Sequence, residues 1–459
     1  MSKPGKIRTI LSVAACKGTR TLLRRTGRGG TAVPGDVAMK FAGNILEAVS
    51  EGMEIVVVTG TNGKTTTCSM IEHAVTACGR ECLLNRSGAN LLSGITADLT
   101  CNATPAGKPK THYAVLECDE AALKQVVPLI HPKAVVVTNL FSDQVDRYGG
   151  VENTLKEIRT GVEKVPETTL VLNAEEPLSA SLSLGTPNPV IWYGMEKSVG
   201  VQGNVDLKDA GVCPQCGSEY TYDYHVYAHL GGFACPKCGY RRAEPDVAVT
   251  KIMRIAPDGS TVLMRVGGKE QEVRIAVPAV YNVYNAAAAI GAVKALGLPV
   301  SKAVASLSST QSAFGRLETF DLGGNRLQMI LVKNPAGCNQ AFSYLTGIGE
   351  DYTAVLCLNN RTGDGHDISW IEDTDYEKLC SDPHLKKLYV CGECARQLSE
   401  RLKRAGAGEE LQQIVTDYNE LLKLLMQEKR PIYALPNYTS MMELRKVLIP
   451  AAGKKDFWE

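Results

Sequence analysis

Apolar runs followed by stretches of helical spacing recur along the chain from Glu54 onward. The segment "EIVVVTG" is continuously apolar, as in a strand buried on both faces. The segment "TTTCSMIEHAVTACG" behind it has the spacing of a helix that closes at Gly79. Two more buried strands follow in "HYAVLECDE" and "KAVVVTNL", with a helical segment between them, and another in "TTLVLNAEEP". Strands alternating with helices predict a parallel sheet with right-handed crossovers. Residues 200–245 break this rhythm and are rich in Cys, Gly and Tyr. A long helical pattern resumes in "PAVYNVYNAAAAIGAVKALGL". A second α/β series then runs through "RLQMILVKNP", "DYTAVLCLNN", "KKLYVCG" and "PIYALPNYT", with helical stretches such as "ELLKLLMQEK". The "DLGGN" turn at 321–325 marks the expected boundary between the two series. No internal repeat is evident.

The N-terminal stretch differs. Eight Lys or Arg residues precede the first acid, Asp36, and Ile7, Ile10, Leu11, Ala14 and Ala15 fit one helical face. It reads as a solvated basic helix or, more sharply, as a surface that meets anionic lipid or phosphate. It lacks a long apolar core and a cleavage site, so it does not read as a signal peptide. No apolar run is long enough to predict a transmembrane helix.

Over the whole 459 residues, 50 Lys and Arg nearly balance 49 Asp and Glu, which gives no general pull toward nucleic acid or membranes. The length predicts more than one domain. The fifteen cysteines are odd in number, and several, such as Cys68, Cys118 and Cys357, sit inside apolar patterns. That fits buried thiols in a reducing cytoplasm better than a disulfide framework.

Four cysteines stand apart. Cys213 and Cys216, then Cys235 and Cys238, form two C-P-x-C-G knuckles. Such knuckles turn two thiolates each toward one tetrahedral Zn²⁺, and four thiolates leave no open coordination position. The spacing predicts a structural zinc ribbon, with the intervening aromatics packing it. Cys391 and Cys394 lack a second knuckle and read as packing residues.

The first strand ends in "TGTNGKTTT", Thr59 to Thr67. A glycine turn ahead of a helix presents backbone N–H groups, and the helix dipole adds positive potential. Thr59, Gly60, Thr61, Asn62, Gly63, Lys64, Thr65 and Thr66 are therefore candidate phosphate ligands. Lys64 can reach terminal phosphates, and the Thr65 hydroxyl can bind Mg²⁺. The usual P-loop spacing would place a glycine at 58, where Val58 stands.

That shortened loop resembles the signature of the Mur ligase family, whose members activate a carboxylate with ATP and join the acyl phosphate to an amine. "LECDE" resembles the family's acidic motif and makes Glu117 the implied Mg²⁺ ligand beside Thr65. "TNLFSDQVDRYG" resembles its T-N-x-x-x-D-H-L-D segment through Asn139, Asp143 and Asp146, with Gln144 in place of the histidine. "YNVYNAAAA" and "FGRLE" resemble two further motifs and bring Asn285, Arg316 and Glu318 toward the nucleotide. The family's carbamylated lysine, expected after "LNAEEP", has no evident counterpart. Only 58 residues precede Thr59, so the resemblance does not extend to a UDP-gripping domain of about a hundred residues.

The implied architecture is α/β throughout. Residues 1–50 form a basic helical segment packing on the central domain. Residues 51–320 form a Mur ligase-like P-loop ATPase domain with a parallel sheet and a ribbon insertion at 205–245. Residues 321–459 form a smaller α/β domain for substrate and partner.

A short N-terminus, a four-cysteine ribbon and "LVKNPAGCNQ" with "LCLNNRTGDGHDISWIEDTDYE" resemble one branch of the family, the synthetase subunits that amidate lipid II. This resemblance implies ATP, Mg²⁺ and structural Zn²⁺. It implies a GatD-type glutaminase partner that supplies ammonia, and lipid II as substrate at the inner face of the membrane. Asp367, with Asp364 as the alternative, is the implied acid for the partner's histidine. Lys333 and Asn334 are candidate substrate contacts. The rival expectations are a folylpolyglutamate synthase-like ligase that adds an amino acid, and a non-catalytic zinc-ribbon nucleotide-binding protein.

Overall fold

The computed structural model describes residues 4–26, 31–85, 89–141, 150–199, 210–310 and 316–454. The side chain of Arg316 also lies outside that description.

Among these residues, nine strands form the first sheet. They are β1 (Glu54–Thr59), β2 (Cys82–Leu84), β3 (Tyr113–Glu117), β4 (Ala134–Val137), β5 (Thr169–Asn173), β6 (Val190–Met195), β9 (Val247–Ala256), β10 (Gly259–Val266) and β11 (Lys269–Ile275). Their order is β11-β10-β9-β6-β5-β4-β1-β3-β2. The sheet is parallel from β2 to β9, as the continuous apolar runs predict. An antiparallel meander, β9 to β11, extends one edge.

Strand β1 shows why the sheet is buried on both sides. Val56 and Val58 enter one core, while Ile55 and Val57 enter the other, and all four are fully buried. The first core is closed by the helices Lys64–Ala77 and Val280–Ala295. Small side chains let the second of these lie close to the sheet, since a Cβ on Gly291 would meet Val171 Cγ1 at 2.7 Å. The helices Leu92–Asn102, Glu120–Ile130 and Val151–Val162 cover the other face.

The cysteine-rich insertion carries the hairpin of β7 (Thr221–Tyr227) and β8 (Leu230–Ala234). A knuckle lies on each side of it. The second large sheet holds β12 (Arg316–Leu322), β13 (Asn325–Ile330), β14 (Tyr352–Cys357), β15 (Leu385–Cys391), β16 (Gln412–Ile414) and β17 (Ile432–Pro436), in the order β12-β13-β17-β14-β15-β16. A division at 321 would cut β12, so on sheet membership we place it just before Arg316. Cys391 and Cys394 are buried in this unit, with Cys391 in register with Cys357.

The helix Lys6–Arg25 packs on the helices Val33–Phe41 and Leu92–Asn102. Its buried face is Thr9, Ser12, Val13 and Cys16. Ile7, Ile10 and Leu11, the face suggested by apolar spacing, are exposed. Lys17 Nζ donates to Ala103 O at 2.5 Å, and Arg20 pairs with Asp98 at 3.0 Å.

Candidate functional site

The carboxyl ends of β1, β3 and β4 converge on the turn Gly60–Gly63. Both terminal glycines have positive φ, 118° and 87°. A Cβ on Gly60 would meet Thr138 Oγ1 at 2.4 Å, and one on Gly63 would meet Asn285 Oδ1 at 2.3 Å. Only glycine lets the backbone come this close and still aim its N–H groups at a ligand.

The neighbouring strand fixes the turn. Asn62 N donates to Asn139 Oδ1 at 2.9 Å, and Asn139 Nδ2 returns a bond to Asn62 O at 3.1 Å. Thr138 Oγ1 donates to Asn62 O at 2.7 Å, and Phe141 N donates to Thr61 Oγ1 at 3.0 Å. Thr59 ends β1 fully buried, and Thr66 faces the cleft. Asn285 lies against Gly63 and donates to Asn282 Oδ1 at 3.1 Å.

Lys64 opens the following helix. Its Nζ donates to Gly60 O at 2.5 Å and pairs with Glu120 Oε1 at 2.7 Å, with its side chain 11% exposed. Burial works to lower its pKa. Glu120 foremost, with Glu117 and Asp119, holds the ammonium above its ordinary range. Thr65 Oγ1 donates to Glu117 Oε2 at 2.7 Å. A hydroxyl and a carboxylate side by side beneath a phosphate turn are the hard oxygen donors that Mg²⁺ takes.

Sequence reasoning missed the support around Glu117. Asn85 Oδ1 accepts from Glu117 N at 2.8 Å, Asn85 Nδ2 donates to Glu117 O at 2.9 Å, and Asn90 Nδ2 lies 3.5 Å from Glu117 Oε1. Neither asparagine carries a signal in the sequence that links it to an acid on another strand.

Between the two sheets is an open cleft. Asn62, Gly63, Thr66, Asn139 and Asn285 form its polar floor. Phe141, Tyr227, Tyr281, Leu317 and Ile330 form its apolar wall, and Lys333 lines its far side. Asn334 caps the helix Pro335–Thr346 through Gly337 N at 2.8 Å and touches Asn62. Arg316 opens β12 beside the wall. Glu318, expected to face the nucleotide, is engaged by Arg445 instead. The register slips between Arg316 and Glu318, and Leu317, at φ 59°, takes the place on the cleft. Asp143, Gln144 and Asp146 lie outside the described residues.

The "LNAEEP" segment supplies two buried acids, both fully buried. Glu175 Oε1 accepts from Tyr224 Oη at 2.8 Å, while its Oε2 accepts from Tyr284 Oη at 2.8 Å and Met195 N at 2.6 Å. Burial foremost pushes its pKa up, against these donors and Arg242. Glu176 caps the short helix Pro177–Ala180, and its Oε1 lies 3.0 Å from His229 Nε2. Through Tyr224 and His229 these acids hold the cysteine-rich insertion onto the end of β5. Adjacent acids before a proline at the end of an apolar strand were the visible signal.

The four thiols Cys213, Cys216, Cys235 and Cys238 lie within 4.8 Å of one another. Cys213 and Cys238 are 3.5 Å apart, and Cys216 and Cys235 are 3.4 Å apart. Sulfurs tetrahedral about one zinc stand about 3.8 Å apart, so the donor set fits that ion. In the second unit, Asp364 accepts from Thr439 N at 2.8 Å and from the Thr439 hydroxyl, so it staples its loop to the helix Tyr438–Ala451. Asp367 is exposed and accepts from Ser369 N at 2.8 Å, which lowers its pKa.

The Mur ligase middle domain model matches residues 58–226, and the MurT ligase C-terminal model matches residues 331–441. The chain is 33% identical over 445 residues to the MurT subunit of the glutamine-hydrolyzing lipid II isoglutaminyl synthase of Streptococcus pneumoniae R6, covering 96% of this chain and 97% of that one. It is 31% identical over 444 residues to the Staphylococcus aureus COL subunit of the same name, covering 96% and 98%. The pseudomurein peptide ligase type C of Methanothermus fervidus has a similar fold, with a TM-score of 0.66 at 20% identity over 87% of this chain and 78% of that one. So has the MurF ligase of Thermotoga maritima in complex with ADP, with a TM-score of 0.65 at 12% identity over 92% and 84%. The shortened phosphate turn, the inserted ribbon and this full-length likeness together establish that the chain belongs to the Mur ligase family, in its MurT branch.

Proposed function

We propose that this chain is the ATP-dependent synthetase subunit of a glutamine-hydrolysing enzyme. It amidates the D-glutamate α-carboxylate of the lipid II stem peptide to D-isoglutamine, with ammonia supplied by a GatD-type glutaminase. The observation that carries the reading is likeness over nearly the whole length to subunits of that named activity, joined to a turn where Lys64, Thr65 and Glu117 meet.

In this mechanism the substrate carboxylate attacks the γ-phosphorus of ATP and ADP leaves. Ammonia then attacks the acyl carbon, phosphate leaves, and the amide remains. Lys64 and the N–H groups of the turn neutralise charge that grows during phosphoryl transfer. When bound at Thr65 and Glu117, Mg²⁺ supplies further positive charge there. Phe141, Tyr227 and Tyr281 offer a stacking wall for the base, and Lys333 across the cleft suits the substrate carboxylate. The second unit covers the phosphate turn and keeps water from the acyl phosphate. Asp367 is the acid offered to the partner's histidine, and the four cysteines hold a structural Zn²⁺. A lipid-linked substrate puts the work at the inner face of the membrane.

The test is co-purification with the glutaminase, followed by mass spectrometry of lipid II after incubation with ATP and glutamine. The expected result is the mass decrease of a hydroxyl replaced by an amino group, dependent on both nucleotide and glutamine. Unchanged lipid II with no ATP consumed would overturn the proposal.

A further inference from the structure

The helix Lys6–Arg25 inverts the usual amphipathic arrangement. A surface helix ordinarily turns its apolar stripe to the core and its polar residues to water. Here Thr9, Ser12, Val13 and Cys16 face the protein. At 3.6 residues per turn, the opposite line of the helix runs through Ile7, Leu11, Ala14, Gly18 and Leu22. All five are exposed, with Ile7 at 76%, Leu11 at 50% and Leu22 at 63%. The inward side is firmly docked. Ser12 Oγ donates to Ala38 O at 2.8 Å, and Lys17 and Arg20 turn back onto Ala103 O and Asp98. The stripe is therefore the outside of a packed helix.

Its charge is one-sided. The helix carries Lys6, Arg8, Lys17, Arg20, Arg24 and Arg25 and no acid. Lys6, Arg8, Arg24 and Arg25 are exposed around the stripe. An aliphatic line flanked only by cations is the composition of a helix lying in a lipid interface, with its apolar side among the acyl chains and its cations on anionic headgroups. A partner protein would be met as well by mixed charges, and none are present.

We infer that the outward face of this helix is a docking surface for an anionic lipid membrane. The inference rests in part on the reading above, since a lipid-linked substrate must be collected there. The helix packs on Leu92–Asn102, which begins two residues after Asn90, the neighbour of Glu117. A chain docked this way has the helix Leu92–Asn102 between the docking helix and the first sheet.

The test is co-sedimentation of the full chain, alone and with its glutaminase subunit, with vesicles of about 70% phosphatidylcholine and 30% phosphatidylglycerol. Pure phosphatidylcholine vesicles are the comparison. Binding should favour the anionic vesicles and fall at least about tenfold in the triple variant Ile7→Glu, Leu11→Glu, Leu22→Glu. These side chains are exposed, so the thermal midpoint and nucleotide affinity should be unchanged. A second variant, Lys6→Glu with Arg8→Glu, should lose the preference for anionic lipid. The inference fails if the wild-type chain ignores anionic vesicles or if the triple variant binds as well as wild type. It also fails if the glutaminase subunit protects residues 6–25 from amide exchange and abolishes binding, which would mark a protein interface. Amidation of detergent-solubilised lipid II should survive the triple variant. Intact vesicle binding without any amidation would overturn the functional reading alone.

Discussion

Asn62 and Asn334 pair their side-chain amides across the cleft, each Nδ2 donating to the other's Oδ1 at 3.3 Å. Asn62 sits in the phosphate turn, and Asn334 begins the helix Pro335–Thr346 of the second unit. The pair joins the glycine turn Gly60–Gly63 to the second unit across the cleft. Both bonds are at the long end for N–H···O contacts, as suits a contact that yields when the cleft opens.

Asn334 has two duties that substitution separates. Aspartate also caps helices well, so Asn334→Asp should keep the bond to Gly337 N and leave the thermal midpoint nearly unchanged. Its charge beside Asn62 should weaken binding of an ATP analogue several-fold. Asn334→Ala should instead cost about 1 kcal/mol of stability through the lost cap. Calorimetry and nucleotide titration on both variants check this. Equal nucleotide affinity in Asn334→Asp and wild type would disprove the coupling.

Lys64→Ala should lower amidation by at least about 10³-fold while the partner still hydrolyses glutamine. It also leaves Glu120, 7% exposed, without its ammonium. Breaking such a buried pair costs about 3–5 kcal/mol. The double variant Lys64→Ala, Glu120→Gln should therefore recover much of the thermal midpoint and none of the activity. Recovery of activity would show that Lys64 only balances Glu120.

Cys16 and Cys101 hold their sulfurs 3.7 Å apart. The Cys16 thiol and the Arg20 guanidinium stabilise a Cys101 thiolate against burial, and its pKa falls to about 6. A thiol whose folded pKa lies below its unfolded value holds fewer protons when folded. Stability should therefore rise with pH from about 6 toward the ordinary thiol range and be lost as pH falls through 6. The difference in midpoint between wild type and Cys101→Ser, followed from acid to mildly alkaline pH, should widen upward. Iodoacetamide at neutral pH should label Cys101 before Cys68 or Cys118, whose buried thiols are pushed well up.

The apolar first strand and the glycine turn at its end were legible because their physics constrains the sequence. Strands buried on both faces must be continuously apolar, and an anion turn needs glycine where Gly60 and Gly63 have positive φ. The β9–β11 meander was equally written, in the Asp258-Gly259 and Gly267-Gly268 turns, but went unread because the alternating α/β rhythm dominated the pattern. The N-terminal helix misled for a different reason. Periodicity finds an apolar face without saying whether it points inward, and here Thr9 and Ser12 take the buried side. Contacts such as Asn85 to Glu117 or Glu176 to His229 join distant segments, and nothing local encodes them.

If the four cysteines hold zinc as proposed, its removal should disturb the cleft. The four cysteines hold the β7–β8 hairpin, which places Tyr227 on the cleft wall and docks Tyr224 and His229 on Glu175 and Glu176. A chelator, or Cys235→Ser, should release about one zinc per chain, lower the thermal midpoint and weaken binding of an ATP analogue. Unchanged nucleotide affinity in the metal-free chain would make the ribbon a separate module.

The acid for the partner's histidine can be decided between two neighbours with opposite local roles. Asp364 is spent on Thr439, which it receives through both backbone and hydroxyl. Asp364→Asn should therefore act mainly on stability, by about 1 kcal/mol as a half-buried pair loses its charge-assisted bonds. Asp367 is exposed and oriented by Ser369, whose backbone N–H foremost, with its hydroxyl, holds the carboxyl pKa down. An ionised, oriented and accessible carboxylate is what an imidazole needs to hold its tautomer and carry a proton. Asp367→Asn should leave the thermal midpoint and ATP binding intact. It should lower glutamine-dependent amidation by roughly 10²–10⁴-fold, and added ammonium salts should restore the reaction. Loss of the ammonium-driven reaction as well would move Asp367 from the partner's site to this chain's own chemistry.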